Sequence, residues 1–339
     1  MCHSIAVNSS MGQGGYTIEY PPLYRLSTTE NPVIKAVHDL VVHLNPEAHR
    51  RSFLKPALKE QSAEFCSSCH KVHLDEPVNN YRWIRGFNDY DNWQASGVSG
   101  QGARSFYYPA VSQTCTDCHM PLLPSDDLGN QDGLVHSHRF PAANTALPTA
   151  NRDQAQLDAT IDFLQDDIVS VDIFAVSTAD PTETSSLDAL LTGDLSTTFA
   201  IGEEADLSGP VFIRDAAPVS APIDQVGPTL RRGDSARLDV VVRTRKVGHF
   251  FPAGTVDAFD VWMELIATDE NDTTLFWSGM AKDEGRGPVE PSAHFYRSLL
   301  IDEHGNPIDK RNAFAARSVV YTRLIPPGAA DTIHYRLEI

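Results

Sequence analysis

Two short stretches gather residue types that can do chemistry together: Cys66-Ser67-Ser68-Cys69-His70 and Cys115-Thr116-Asp117-Cys118-His119. Each sets two thiols three residues apart, with a histidine directly behind the second. On one helical turn, residues three and four apart share a face. Thiols so placed reach the two vinyl groups of one porphyrin, and the imidazole that follows lies beneath the iron as an axial ligand. This is the spacing of covalent c-type haem attachment, and it uses four of the five cysteines. The fifth stands in Met1-Cys2-His3, the second half of the same pattern. It predicts a third attachment point, whose leading cysteine would lie two positions ahead of Met1 in a longer chain.

Other cysteine chemistry fits less well. Zinc ribbons separate their cysteine pairs by roughly 15–20 residues, and zinc gives no reason for a histidine to follow both pairs. A dithiol redox site needs one such pair beside a strand–helix unit, and no such pattern occurs. Disulfides explain neither the spacing nor the odd number.

An iron held by His70, His119 or His3 has a second face. Methionine there raises the reduction potential, but the methionines are poorly placed: Met120 adjoins His119, and Met263 lies in a strand pattern. Histidines are plentiful, so bis-histidine ligation is expected. The distal candidates, in order, are His138, His49, His38, His249 and His73. His138 follows a polar loop and precedes Phe140-Pro141. His249 lies in Val247-Gly248-His249-Phe250-Phe251-Pro252-Ala253-Gly254-Thr255, a tight turn between strong strands.

The elements that must position these groups fall into two halves. Asn31-Pro32 reads as a helix start, with Ile34, Val37, His38, Val41 and Leu44 at helical spacing; this places His38 on an apolar face. Asn45-Pro46 restarts a helix carrying His49. Between the motifs, Tyr81 to Pro109 is rich in aromatic residues, which pack well on porphyrin faces. A helical pattern opens at Asn151 with Leu157, Ile161 and Leu164. The period then changes to two at 169–175, 238–242, 259–265 and 333–339, the sign of half-buried strands. The expected fold is α+β: a multihaem cytochrome c domain over 1–150, built of short helices and loops, and an antiparallel β-sandwich over 151–339. A polar stretch at about 177–230 interrupts the second, and its last strand is still alternating at Ile339, as though cut.

Composition is that of a water-soluble chain, 41% hydrophobic and 21% charged, with no apolar run long enough to span a membrane. The net charge of −18 argues against nucleic acid as a partner. Residues 1–150 hold 11 Lys/Arg against 14 Asp/Glu, so most of the negative charge falls in the cysteine-free half. No signal peptide opens the chain, yet c-type haem is attached outside the cytoplasm. The two agree if the N-terminus of a periplasmic or cell-surface protein has been lost.

The first half resembles the extracytoplasmic multihaem c-type cytochromes, the cytochrome c-554 class and its larger relatives in particular. The likeness is carried by Cys66–His70 with Lys71-Val72-His73, Cys115–His119 with Met120-Pro121, and His138-Arg139-Phe140. It covers about residues 1–145. A thinner likeness over 235–300 rests on Gly248-His249-Phe250-Phe251-Pro252-Ala253-Gly254, similar to a turn in the β-domains of some large members. The resemblance implies electron transfer through closely spaced haems, with redox partner proteins and assembly with other cytochrome subunits. The chain departs from it in its broken first motif and its small number of haems, both expected of a fragment. The alternative is part of a multihaem oxidoreductase of the nitrite, hydroxylamine or tetrathionate type, which needs one iron with an open face. Both complete motifs end in histidine, which favours the carrier.

Overall fold

The computed structural model describes residues 2–7, 12–19, 22–47, 58, 62–76, 84–102, 109–127, 130, 132–178, 219–308 and 312–339. His49, Trp83, Tyr107 and most of the polar stretch after residue 177 lie outside them. Backbone contacts divide the chain into two compact units, neither continuous in sequence. One comprises Met1–Val169, Thr244–Val261 and Phe295–Ala329; the other comprises Ser170–Arg243, Trp262–His294 and Ala330–Ile339. The motif-bearing unit thus includes two later segments, 244–261 and 295–329.

That unit holds short helices: α1 (Pro22–Ser27), α2 (Pro32–Leu44), α3 (Ser62–Ser67), α4 (Asp89–Gln94), α5 (Cys115–His119), α6 (Ala146–Asn151) and α7 (Gln154–Gln165). Antiparallel two-stranded pairs separate them: Ile5–Val7 with Tyr16–Ile18, Lys71–Leu74 with Ile84–Asn88, and Leu122–Pro124 with Leu134–His136. Asn31 caps α2, its side chain accepting from the Val33 and Ile34 amides. Ile34, Val37, Val41 and Leu44 are exposed, however, and the buried side chain of this helix is His38, 9% exposed. The helix expected to open at Asn151 begins at Gln154 and carries Leu157, Ile161 and Leu164, while Asn151 ends the preceding helix. Arg152 takes a left-handed φ of 57° and ends α6; Asp153 then caps α7, accepting from the Gln156 amide.

Ala63, Tyr90, Trp93 and Val98 form a small buried cluster, against which Cys115 packs. The Trp93 indole N–H donates to the Gln113 carbonyl at 2.7 Å, so the ring's one polar atom is satisfied inside it.

In the other unit the strands run in the order Ala330–Glu338, Ser235–Thr244, Val169–Thr178, Val219–Ser220. The expected alternation decides the register: Ile333 lies opposite Val240 and Leu337 opposite Ala236, all four buried. Leu265–Thr268 and Thr274–Ser278 make a separate antiparallel pair. The whole is a mixed architecture of short helices and small antiparallel sheets. Among the described residues no helix is long and apolar enough to cross a membrane.

Ile333→Ala empties a site opposite Val240 and should lower the unfolding free energy by about 2–5 kcal/mol. Val171→Ala, at a side chain 53% exposed, should change it by less than about 0.5 kcal/mol. Urea unfolding of both variants measures the contrast, and equal costs would contradict this register.

Candidate haem-attachment site

Both pentapeptides lie on helical turns. Cys66 lies in the last turn of α3, and the turn runs on: the Cys69 and His70 amides donate to the Cys66 carbonyl at 3.1 and 2.8 Å. The two serines between the thiols return their hydroxyls to the same helix, Ser67 to the Glu64 carbonyl and Ser68 to the Phe65 carbonyl, each at 2.7 Å. α5 is the second pentapeptide itself. Asp117 closes its first turn, accepting from the Thr114 amide and hydroxyl at 2.7 and 2.8 Å. Cys2–Ser4 is a 3₁₀ turn, so the half-motif has a similar local form.

The two complete turns lie side by side. The Ser62 and Thr116 hydroxyls meet at 3.2 Å across α3 and α5. The Cys115 thiol hydrogen-bonds to the Cys66 sulfur, which pushes Cys115 far up and holds Cys66 below its ordinary value. Burial raises Cys118 as well, whereas Cys69 and Cys2 are exposed.

The histidines share one feature. An imidazole that binds a metal through one nitrogen almost always has the other held, which fixes its tautomer and orientation. His119 Nδ1 lies 2.8 Å from the Pro141 carbonyl, His138 Nδ1 2.8 Å from the His136 carbonyl, and His249 Nδ1 3.0 Å from the Phe250 carbonyl. Each contact engages Nδ1 and points the chemistry to Nε2. Burial holds His119 below the usual histidine value, in the neutral form that ligates.

These rings also come in pairs. His3 and His138 have centroids 6.0 Å apart with planes inclined by 25°. His119 and His249 are 6.1 Å apart and nearly parallel, at 7°. Each pair joins a motif histidine to a distal candidate. Phe163 of α7 packs on His119 at 5.4 Å, and Phe140 stands edge-on to His138.

His70 is placed differently. Its Nδ1 faces Asp89 Oδ2 at 3.5 Å, and its carbonyl accepts from the Asp89 and Tyr90 amides. The other Asp89 oxygen accepts from the Gly254 amide at 3.3 Å, so one carboxylate touches both the His70 ring and the loop that carries His249. Burial pushes Asp89 up, but His70, His249 and that amide together pull it below the usual carboxylate range; Asp89 in turn raises His70. Sequence reasoning missed Asp89, an acid at the start of a helix with nothing nearby in the chain to mark it.

Of the remaining candidates, His38 Nδ1 lies 3.1 Å from Asp39, and its buried Nε2 has no hydrogen-bond partner among the described residues. His73 Nε2 lies 3.1 Å from Asp75. His49 falls outside the described residues.

Two glycines let this arrangement close. Gly12 has φ of 75°, and a Cβ there would sit 2.2 Å from the Lys71 carbonyl; the N-terminal segment can therefore lie on the strand after His70, where Gln13 donates to Lys71. A Cβ on Gly248 would press on Val98 and Trp93 at 3.3 and 3.4 Å, so the His249 loop approaches the cluster closely.

No protein-family model matches the chain, and no curated protein matches it. Among solved structures it is similar to a penta-heme cytochrome c552 from Thermochromatium tepidum, at 14% identity and a TM-score of 0.45. The match covers 99% of this chain and 64% of that one, so the chain spans less than two thirds of that cytochrome's length. A likeness at this level assigns no role to any residue, and the chemistry is argued from the chain's own side chains.

Those side chains fit haem c. Thiols and histidine share a helical turn, and two imidazoles on opposite faces of one metal stand with ring centres roughly 6 Å apart, given metal–nitrogen bonds of about 2 Å. The His38 nitrogen is a buried polar atom in want of a partner. Among the described residues no group of three or more His, Cys, Asp or Glu is placed to hold a metal ion; a haem iron takes only two side-chain ligands.

In the haem-free chain, iodoacetamide should alkylate the exposed Cys2 and Cys69 before Cys115, whose thiol is spent on Cys66 and whose thiolate is disfavoured. Peptide mass mapping of a time course would show the order. Early labelling of Cys115 would contradict the thiol pair.

Proposed function

We propose that this chain is an electron-transfer protein with covalently bound c-type haems at Cys66/Cys69/His70 and Cys115/Cys118/His119, and a third held in part by Cys2 and His3. Haem c supplies reversible one-electron oxidation and reduction. The chain fixes each group in place, ligates it from both faces and brings the attachment points together. The observation that carries this is the ring pairing: His3 with His138 and His119 with His249, each a motif histidine facing a distal candidate.

On this reading His138 completes the iron of His3, and His249 completes that of His119. His38, with its buried unpartnered nitrogen, completes that of His70. The carbonyls of Pro141, His136 and Phe250 hold the imidazoles in one tautomer, with Nε2 free to ligate. The Cys66–Cys115 contact supports a relay of electrons, since haems attached at these two turns would lie at neighbouring points. Leu122, Leu123 and Phe140 stand exposed beside these groups, and a flat apolar macrocycle would cover such side chains. Such a protein works outside the cytoplasm, exchanges electrons with redox partner proteins or further cytochrome subunits, and carries its acidic β-rich half as a sandwich-like appendage.

Replacing Cys66 and Cys69 together by Ala should lower haem content by one per chain, read by pyridine haemochrome; unchanged content would refute that attachment site. The oxidised holoprotein should be wholly low-spin and indifferent to cyanide or nitrite. His249→Ala should then make one haem high-spin and cyanide-binding. A wild-type protein that binds cyanide would point to an oxidoreductase with an open iron instead.

A further inference from the structure

The two proximal histidines differ in what holds Nδ1. His119 rests against a neutral acceptor, the Pro141 carbonyl at 2.8 Å, while His70 faces a carboxylate, Asp89, at 3.5 Å. Asp89 is fixed there from three directions. Its amide donates to the His70 carbonyl at 3.1 Å, its Oδ1 accepts from Gly254 at 3.3 Å, and it opens α4 one residue after Asn88, whose side chain accepts from the Asp91 amide. Helix start favours the negative charge. Its neighbour Asp91 points elsewhere, paired with Lys71 at 2.9 Å and with the Asn88 amide group at 2.6 Å. The charge against the His70 ring is therefore that of Asp89.

A carboxylate behind a ligating imidazole makes it a stronger donor and stabilises the more positive metal state; a carbonyl does so less. We infer that Asp89 is a positioning residue that makes the haem at Cys66–His70 the lower-potential member of the pair and gives the relay a direction. This rests on haem being attached at Cys66–His70. Because the same carboxylate holds the Gly254 amide, it also ties the orientation of His70 to the loop bearing His249, the distal ligand proposed for the other haem.

The test is a spectroelectrochemical titration of the holoprotein. Asp89→Asn keeps the shape and an oxygen for Gly254 but removes the charge; it should move one midpoint potential in the positive direction, with haem content and the low-spin spectrum unchanged. Asp89→Glu should bring that potential back toward wild type. Asp91→Asn removes an equal charge that does not face His70, and should shift the same wave clearly less. The wave that moves must be the one missing from the Cys66→Ala/Cys69→Ala protein. An unmoved potential in Asp89→Asn, an equal shift in Asp91→Asn, or movement of a different wave would overturn the inference. If the double cysteine variant keeps its full haem content, the attachment site itself is wrong, which is a separate failure with its own readout.

Discussion

An imidazole that ligates a metal through one nitrogen almost always has the other held, and four histidines of the motif-bearing unit have such a tie. It is made by oxygens of the chain: Pro141 for His119, His136 for His138, Phe250 for His249 and Asp89 for His70. Each oxygen comes from a segment that must be somewhere definite. Pro141 has to follow the Leu134–His136 strand back beside α5, and Asp89 has to come against His70 at the start of α4, whereas His136 and Phe250 hold histidines one or two residues away in their own segments. The short helices and two-stranded pairs are what such anchoring needs. Their own core is small, and several of their apolar side chains remain exposed. On the function proposed above, large flat groups would cover such side chains.

Much of this was legible in the chain because the relevant signals are local. A C-x-x-C-H stretch is only five consecutive residues long, and both complete motifs form helical turns. Alternation at 235–244 and 330–338 is likewise local, since side-chain direction in a strand repeats every two residues, and both are strands in register. His38 stood out for its place in a helical pattern. Its burial arises for a reason the pattern did not contain: the aliphatic residues around it are exposed, and the imidazole is the side chain turned inward.

What was not legible depends on pairing across the sequence. Nothing near His119 indicates that the ring parallel to it is His249, or that His3 would meet His138. That 244–261 and 295–329 group with the motif-bearing residues has no local mark in the chain for the same reason. Asp89 escaped notice because it looks like an ordinary acid in a helix's first turn; only the fold sets it against His70 and Gly254. The helix expected from Asn151 starts three residues later, because Asn151 ends a short preceding helix at the left-handed Arg152, and a single left-handed residue leaves no mark on hydrophobic periodicity.

The return of the His249 loop has a consequence in time. About 130 residues separate His119 from His249. At roughly 5–20 residues per second, the ribosome takes on the order of 6–26 seconds to make that stretch. For that interval the imidazole of His119 exists without the ring that will lie parallel to it, and the unit that contains both cannot close. The first 150 residues, however complete their motifs, are an unfinished structure waiting for a loop still to be synthesised.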